Sequence, residues 1–171
     1  FTDNGSSTIF KLNTNTGVWE NQGKLTNPSA ANGDNFGFSV CIFGDYAAVG
    51  AYGDDEGGFF DVGSATVFKR NSGTGVWESQ GKLTISNPGT NDRFGTSLDI
   101  NTNYLLVGAP GDDESPFTDV GSIVFFKRNT GTGVWESQGR VLTASPSPDD
   151  QFGFRVSIST DFAIISTPYD D

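Results

Sequence analysis

Two stretches of the chain, Tyr46–Ala51 (YAAVGA) and Tyr104–Ala109 (YLLVGA), carry no charged or strongly polar side chain. The residues before the first of them alternate instead. From Phe36 to Phe43, Phe38, Val40 and Ile42 fall on one face, with Ser39, Cys41 and Phe43 on the other. Alternation predicts a strand, and the continuous apolar run that follows predicts a strand covered on both faces. We label these strands A and B. Gly44-Asp45, Thr102-Asn103 and Thr160-Asp161 each have the length of a two-residue hairpin turn between them. A third strand, C, is expected at SATVFKR and a fourth, D, at GVWESQGKLT, joined by a glycine-rich turn such as NSGTG. No segment has a helical period.

The pattern recurs. Phe36-Gly37, Phe94-Gly95 and Phe152-Gly153 are 58 residues apart, as are Trp19, Trp77 and Trp135. The chain therefore reads as three copies of one four-stranded antiparallel unit, in phases 1–58, 59–116 and 117–171 starting at strand C. Strands C and D stand alone at 1–26, full units occupy about 35–84 and 93–143, and strands A and B stand alone at 152–171. Repeated units of this kind describe blades of an all-β propeller. A β-sandwich made by duplication fits less well, because its strands should mostly alternate buried and solvated faces.

Composition narrows the chemistry. The chain of 171 residues has no His, one Cys and no Met. Without His, the commonest general base and transition-metal ligand are missing. Cys41 alone supports neither an intrachain disulfide nor a thiolate zinc site, and it reads as an ordinary free thiol. A net charge of −11 argues against nucleic acid and anionic lipid as partners. No apolar run is long enough for a membrane-spanning helix. A chain opening on Phe without any Met is expected to be a processed product or an excerpt.

Acid is concentrated between strands B and C. GDDEGGFFDVG holds Asp54, Asp55, Glu56 and Asp61, and GDDESPFTDVG holds Asp112, Asp113, Glu114 and Asp119. Asp170 and Asp171 at one end and Asp3 at the other are the divided third loop. Asp34, Asp92, Asp149 and Asp150 in the D–A connections join them on one expected face, opposite Lys11, Lys69, Arg70, Lys127 and Arg128. Two readings stay open. One is a solvated, solubilising face. The other is weak Ca²⁺ binding by Asp54, Asp55, Asp61, Asp112, Asp113, Asp119, Asp170, Asp171 and Asp3. A glycosidase pair would need two carboxylates in a cleft, whereas these acids repeat in every unit. Trp19, Trp77 and Trp135 are expected between blades, the alternative being a platform for sugar rings. Phe1, Phe59 and Phe117 are expected to fold back on their own units. Asn4-Gly5-Ser6 is an N-glycosylation triplet, meaningful in a secreted eukaryotic chain.

Phe94-Gly95 opening strand A with Val107-Gly108-Ala109-Pro110 closing strand B resembles the FG-GAP repeat, the blade of the propeller heading integrin α-subunits. Phe36-Gly37 with Val49-Gly50-Ala51-Tyr52 loses the proline, and Phe152-Gly153 with Ile165-Ser166-Thr167-Pro168 loses the Gly-Ala. The resemblance implies a propeller fold and occurrence in secreted and surface proteins. Its calcium loop between strands A and B does not carry over, because a two-residue turn is too short to wrap a cation. The expected function is adhesion or structural assembly outside the cell, without catalysis. A carbohydrate-binding module is the alternative and a glycan-active enzyme a third. The expected partners are other copies of the chain, forming a six-bladed ring or a filament, or further repeats of a longer parent, with a glycan or surface protein as ligand.

Overall fold

The computed structural model describes residues 2–171, and every regular element among them is a strand. These are β1 (Ser7–Asn13), β2 (Val18–Leu25), β3 (Ser39–Phe43), β4 (Tyr46–Ala51), β5 (Ser64–Arg70), β6 (Trp77–Leu83), β7 (Ser97–Ile100), β8 (Tyr104–Ala109), β9 (Ser122–Arg128), β10 (Trp135–Val141), β11 (Val156–Ile158) and β12 (Ala163–Ile165). They form four sheets. Two are four-stranded, in the orders β3-β4-β5-β6 and β7-β8-β9-β10; β1-β2 and β11-β12 are two-stranded. All strand pairings are antiparallel. The first and last pairs remain separate sheets, so the described sheets close no ring.

Local chemistry sets the turns. Phe43 pairs with Tyr46 across Gly44-Asp45, as the two-residue spacing requires. Between β5 and β6, the Asn71 side chain accepts the amides of Gly73 (3.0 Å) and Thr74 (3.2 Å). Asn13 and Asn129 do the same in the other units. Each of these Asx turns shapes a C–D hairpin. A bulge follows on strand D: Phe68 pairs with Ser79 and Val67 with Gly81, leaving Gln80 unpaired.

Burial follows the expected pattern where sheets have neighbours. From their second residue on, β4 and β8 are fully buried. Ala48, Val67, Leu98, Leu105, Val107 and Phe126 fill the space between the two large sheets. Leu25, Phe36, Ala47, Val49 and Phe68 fill that between β1-β2 and its neighbour. Phe94, fully buried, contributes on the order of 2 kcal/mol.

One expectation needs correction. Strand A begins at Ser39, because Phe36 turns aside to bridge Gly5 of the preceding unit. On β12, Ile164 is 74 % exposed, with no described sheet beyond it.

The Phe-Gly and Gly-Ala elements meet at the junctions between units. Phe36, Phe94 and Phe152 each bridge the glycine before strand C of the preceding unit: Gly5, Gly63 and Gly121. The carbonyl of Gly95 accepts the Ser39 hydroxyl (2.6 Å) and that of Gly153 accepts Ser97 (2.7 Å). A Cβ on Gly108 would collide with the Gly153 carbonyl, and one on Gly50 with that of Gly95. Gly108→Ala is therefore expected to cost about 1–3 kcal/mol through overpacking. Gly131→Ala, in an exposed turn with its nearest neighbour at 3.4 Å, should stay within about 0.5 kcal/mol of wild type. Paired urea melts compare the two, and equal effects would remove the junction argument.

Candidate functional site

The acid-rich B–C connection is built around one buried carboxylate in each complete unit. The Asp54 amide donates to the Ala51 carbonyl (3.2 Å), and the Asp54 carbonyl accepts Gly63 N–H (2.8 Å). This folds the carboxylate inward, where it is 4 % exposed. There it accepts the Ser64 hydroxyl at 2.5 Å and the Lys82 ammonium at 2.9 Å, while Lys82 also reaches Glu56 at 2.7 Å. The next unit repeats the design with Arg. Asp112 accepts the Ser122 hydroxyl and Arg140 Nε (2.5 Å); Arg140 also donates to Glu114 (2.8 Å) and to the Asp113 carbonyl (2.7 Å). Burial would lower the Lys82 pKa, but its bonds to Glu56 and Asp54 more than offset this and raise it. Burial raises Asp112, against the pull of Ser122 and Arg140.

These cations were missed in the sequence, where positive charge was assigned to the opposite face. Lys24, Lys82 and Arg140 recur at the 58-residue step in GKLT, GKLT and GRVLT. Their coincidence with the spacing of Asp54, Asp112 and Asp170 was the available signal. Each lies just past the strand D bulge, with Lys82 opposite Thr66 and Arg140 opposite Val124. A bulge re-aims the side chains beyond it.

Beneath the loops lie Asp34, Asp92 and Asp150, each at most 2 % exposed. Each caps its own D–A turn, accepting the amide three residues back: Ala31, Gly89 and Ser147, all at 2.7 Å. Burial pushes Asp92 up to about 6, assisted by Asp112 and Asp113 and opposed by the Gly89 bond and Arg140. Asp34 is raised by the same chief cause.

The remaining loop acids lie further out. The Asp55 side chain accepts the Asp61 amide (2.9 Å) and Asp113 that of Asp119 (2.8 Å). These bonds hold Asp61 and Asp119 at left-handed φ of 50°. Burial and the Asp113 charge raise Asp119. Asp3 holds Asn35 through its backbone carbonyl (3.0 Å), and Asp170 and Asp171 are exposed. Among the described residues, no three acidic, His or Cys side chains gather as a metal cluster. Asn4 is half-buried at a junction, its backbone carbonyl accepting Phe36 N–H (3.0 Å).

Trp135 is 7 % exposed and packs edge-on against Tyr46 of the preceding sheet, with centroids 5.8 Å apart. Arg128 covers the other part of that ring and donates to its hydroxyl (3.2 Å). Trp77 is half-buried against the cluster that holds Leu25, Phe36 and Phe68. Trp19, with no preceding sheet among the described residues, is 64 % exposed. Phe59 and Phe117 sit half-exposed in two-way backbone bridges with Glu56 and Glu114; Phe1 lies outside the described residues. Burial pushes the Cys41 thiol up to about 12, with help from Asp99, so thiolate is scarce at neutral pH.

Blade-like sheets stacked through glycine junctions, the two complete ones clipped by a buried acid and a strand D cation, define a propeller-type repeat module. The chain belongs to the FG-GAP repeat family: its model matches residues 19–68, 77–124 and 135–171. The first two matches run from strand D of one sheet through strand C of the next, so each spans a junction. No curated protein sequence matches the chain.

Asp92 provides a pH test. Its raised pKa means that the folded state holds the proton more tightly than the unfolded chain. The stabilisation is complete below about pH 4 and is lost as pH rises through about 6. Asp92→Asn should therefore gain on wild type between pH 4 and pH 7 in urea melts. A constant difference between the two proteins across that range would contradict this assignment.

Proposed function

We propose that the chain is an extracellular or cell-surface structural module that works in adhesion or assembly through its open blade faces, without catalysis. One observation carries this reading. Val40 and Ile42 on β3, and Phe38 just before it, are each more than half exposed, although Leu98 and Ile100, the equivalents of Val40 and Ile42 on β7, are buried under a neighbouring sheet. An apolar sheet face of this kind marks a protein contact. The repetition of the acids in every unit supports a scaffold over a single reactive cleft. Trp135, buried against the neighbouring sheet, offers no platform for sugars.

Beads coated with the chain should cluster with one another, and Val40→Thr with Ile42→Thr should reduce clustering. Unclustered beads, together with turnover of a polysaccharide, would overturn the reading in favour of an enzyme. Calcium enters as a weak stabiliser, at ~10⁻⁴–10⁻³ M, and its sites would be the outer pairs Asp55/Asp61 and Asp113/Asp119. Millimolar Ca²⁺ should then raise Tm slightly by mass action. A melt unchanged by chelator in millimolar Ca²⁺ removes it from the scheme.

A further inference from the structure

Most of the acid between strands B and C is clipped or braced, but the tip of the loop at 54–61 carries something else. The Glu56 and Phe59 backbones exchange hydrogen bonds (3.2 and 3.0 Å) across Gly57-Gly58, which makes the tip a small hairpin. Phe59 is 43 % exposed and Phe60, next in the chain, 68 %. This exposure is not that of an open sheet face. The Phe60 carbonyl accepts the Asn91 amide (2.9 Å) and the Asp61 carbonyl accepts that of Arg93 (3.0 Å). Both donors lie on the connection from β6 to β7, so the loop is seated between the two complete sheets.

The carboxylates beside these rings are uncompensated. Lys82 is taken up by Asp54 and Glu56, and Arg140 by Asp112 and Glu114. Asp55 and Asp61 have no ion pair among the described residues. The bond from the Asp61 amide to the Asp55 side chain (2.9 Å) and the backbone bonds around Phe60 hold acids and aromatics in one fixed arrangement. A partner therefore loses little free energy in ordering them. A solvated charged surface accounts for Asp55 and Asp61, but not for two exposed Phe residues between them. Exposed apolar side chains rimmed by polar groups mark a protein contact. An aromatic face attracts a cation through its quadrupole, and the flanking carboxylates pair with the same cation. The next unit carries Thr118 where this one carries Phe60, so the feature is centred on one loop.

We infer that loop 54–61 is a docking surface for a cationic segment of another protein, in which Arg or Lys stands beside apolar residues. The cations of that segment pair with Asp55 and Asp61 and lie on the Phe60 ring, while its apolar side chains cover Phe59 and the rest of Phe60. The net charge of −11 steers such a segment to the molecule, and the aromatic contact holds it at this loop. The inference goes beyond the sheet-face reading and does not rest on it: unclustered beads would leave it standing.

The test is binding of a synthetic peptide of alternating Arg and Leu to the 171-residue chain, followed by fluorescence anisotropy. Chelator is present throughout, because Ca²⁺ on the Asp55/Asp61 pair would compete. Wild type should bind this peptide and should not bind one in which Glu replaces Arg. Phe60→Thr gives the loop the side chain that the next unit already has at this position. It should weaken binding about fivefold or more, with circular dichroism and Tm unchanged. Thr118→Phe should strengthen binding by creating a second such loop. Asp55→Asn keeps an oxygen to accept the Asp61 amide, yet it should weaken binding and flatten its dependence on salt. Binding that Phe60→Thr leaves unchanged would be attraction to the acidic face alone and would overturn the inference. Equal binding of the Glu peptide would do the same. So would self-association of the chain that Phe60→Thr abolishes, because the occupant would then be a second copy.

Discussion

The contact on which the rest of this structure depends is a backbone crossing. The carbonyl after Phe94, and that after Phe152, must approach the preceding sheet closely enough to take a serine hydroxyl. Only a glycine opposite allows it. Gly50 and Gly108 supply that space, and Ser39 and Ser97 supply the hydrogen bond. Because the contact joins the segment just before strand A of one unit to strands A and B of the unit before, it fixes both the spacing and the order of the sheets. The buried apolar layers then follow from that spacing. The third unit departs from the rule at Ser166 and Arg155, at the edge where the described sheets stop stacking.

A second layer of interaction holds each complete sheet at its rim. A carboxylate as buried as Asp54 or Asp112 is costly unless it is paired and hydrogen-bonded. The Ser64 and Ser122 hydroxyls and the Lys82 and Arg140 cations meet both conditions. The clip also ties strand D, the outermost and most solvated strand, to the B–C loop. Acid that looked like a uniform charged surface is thus graded. Asp34, Asp92 and Asp150 are capping groups in the interior, Asp54 and Asp112 are clipped, and Asp55 and Asp113 brace their own loops. The net negative charge therefore overstates how much of the acid faces water.

Ile164 and Trp19 are exposed although their position in the repeat is an interior one. An unpaired strand edge beside such a face is a template for another sheet.

The order of strands, their hairpin turns and the doubly covered strands β4 and β8 were legible in the sequence, because side-chain periodicity and turn length are local properties. The 58-residue step and the Phe-Gly and Gly-Ala elements likewise identified the repeat family without coordinates. Three things required the tertiary structure. Phe36 left its strand because its ring is buried at a junction with Gly5, some thirty positions earlier in the chain. Lys82 and Arg140 turned toward the acidic loops because a bulge re-aims strand D, and a one-residue shift in register cannot be read from alternation alone. Asp34 and Asp92 became interior groups because neighbouring loops exclude water from them. Burial is a property of what surrounds a residue, so the sequence by itself determined the unit, and only the stacking of units decided which of its charges are paired.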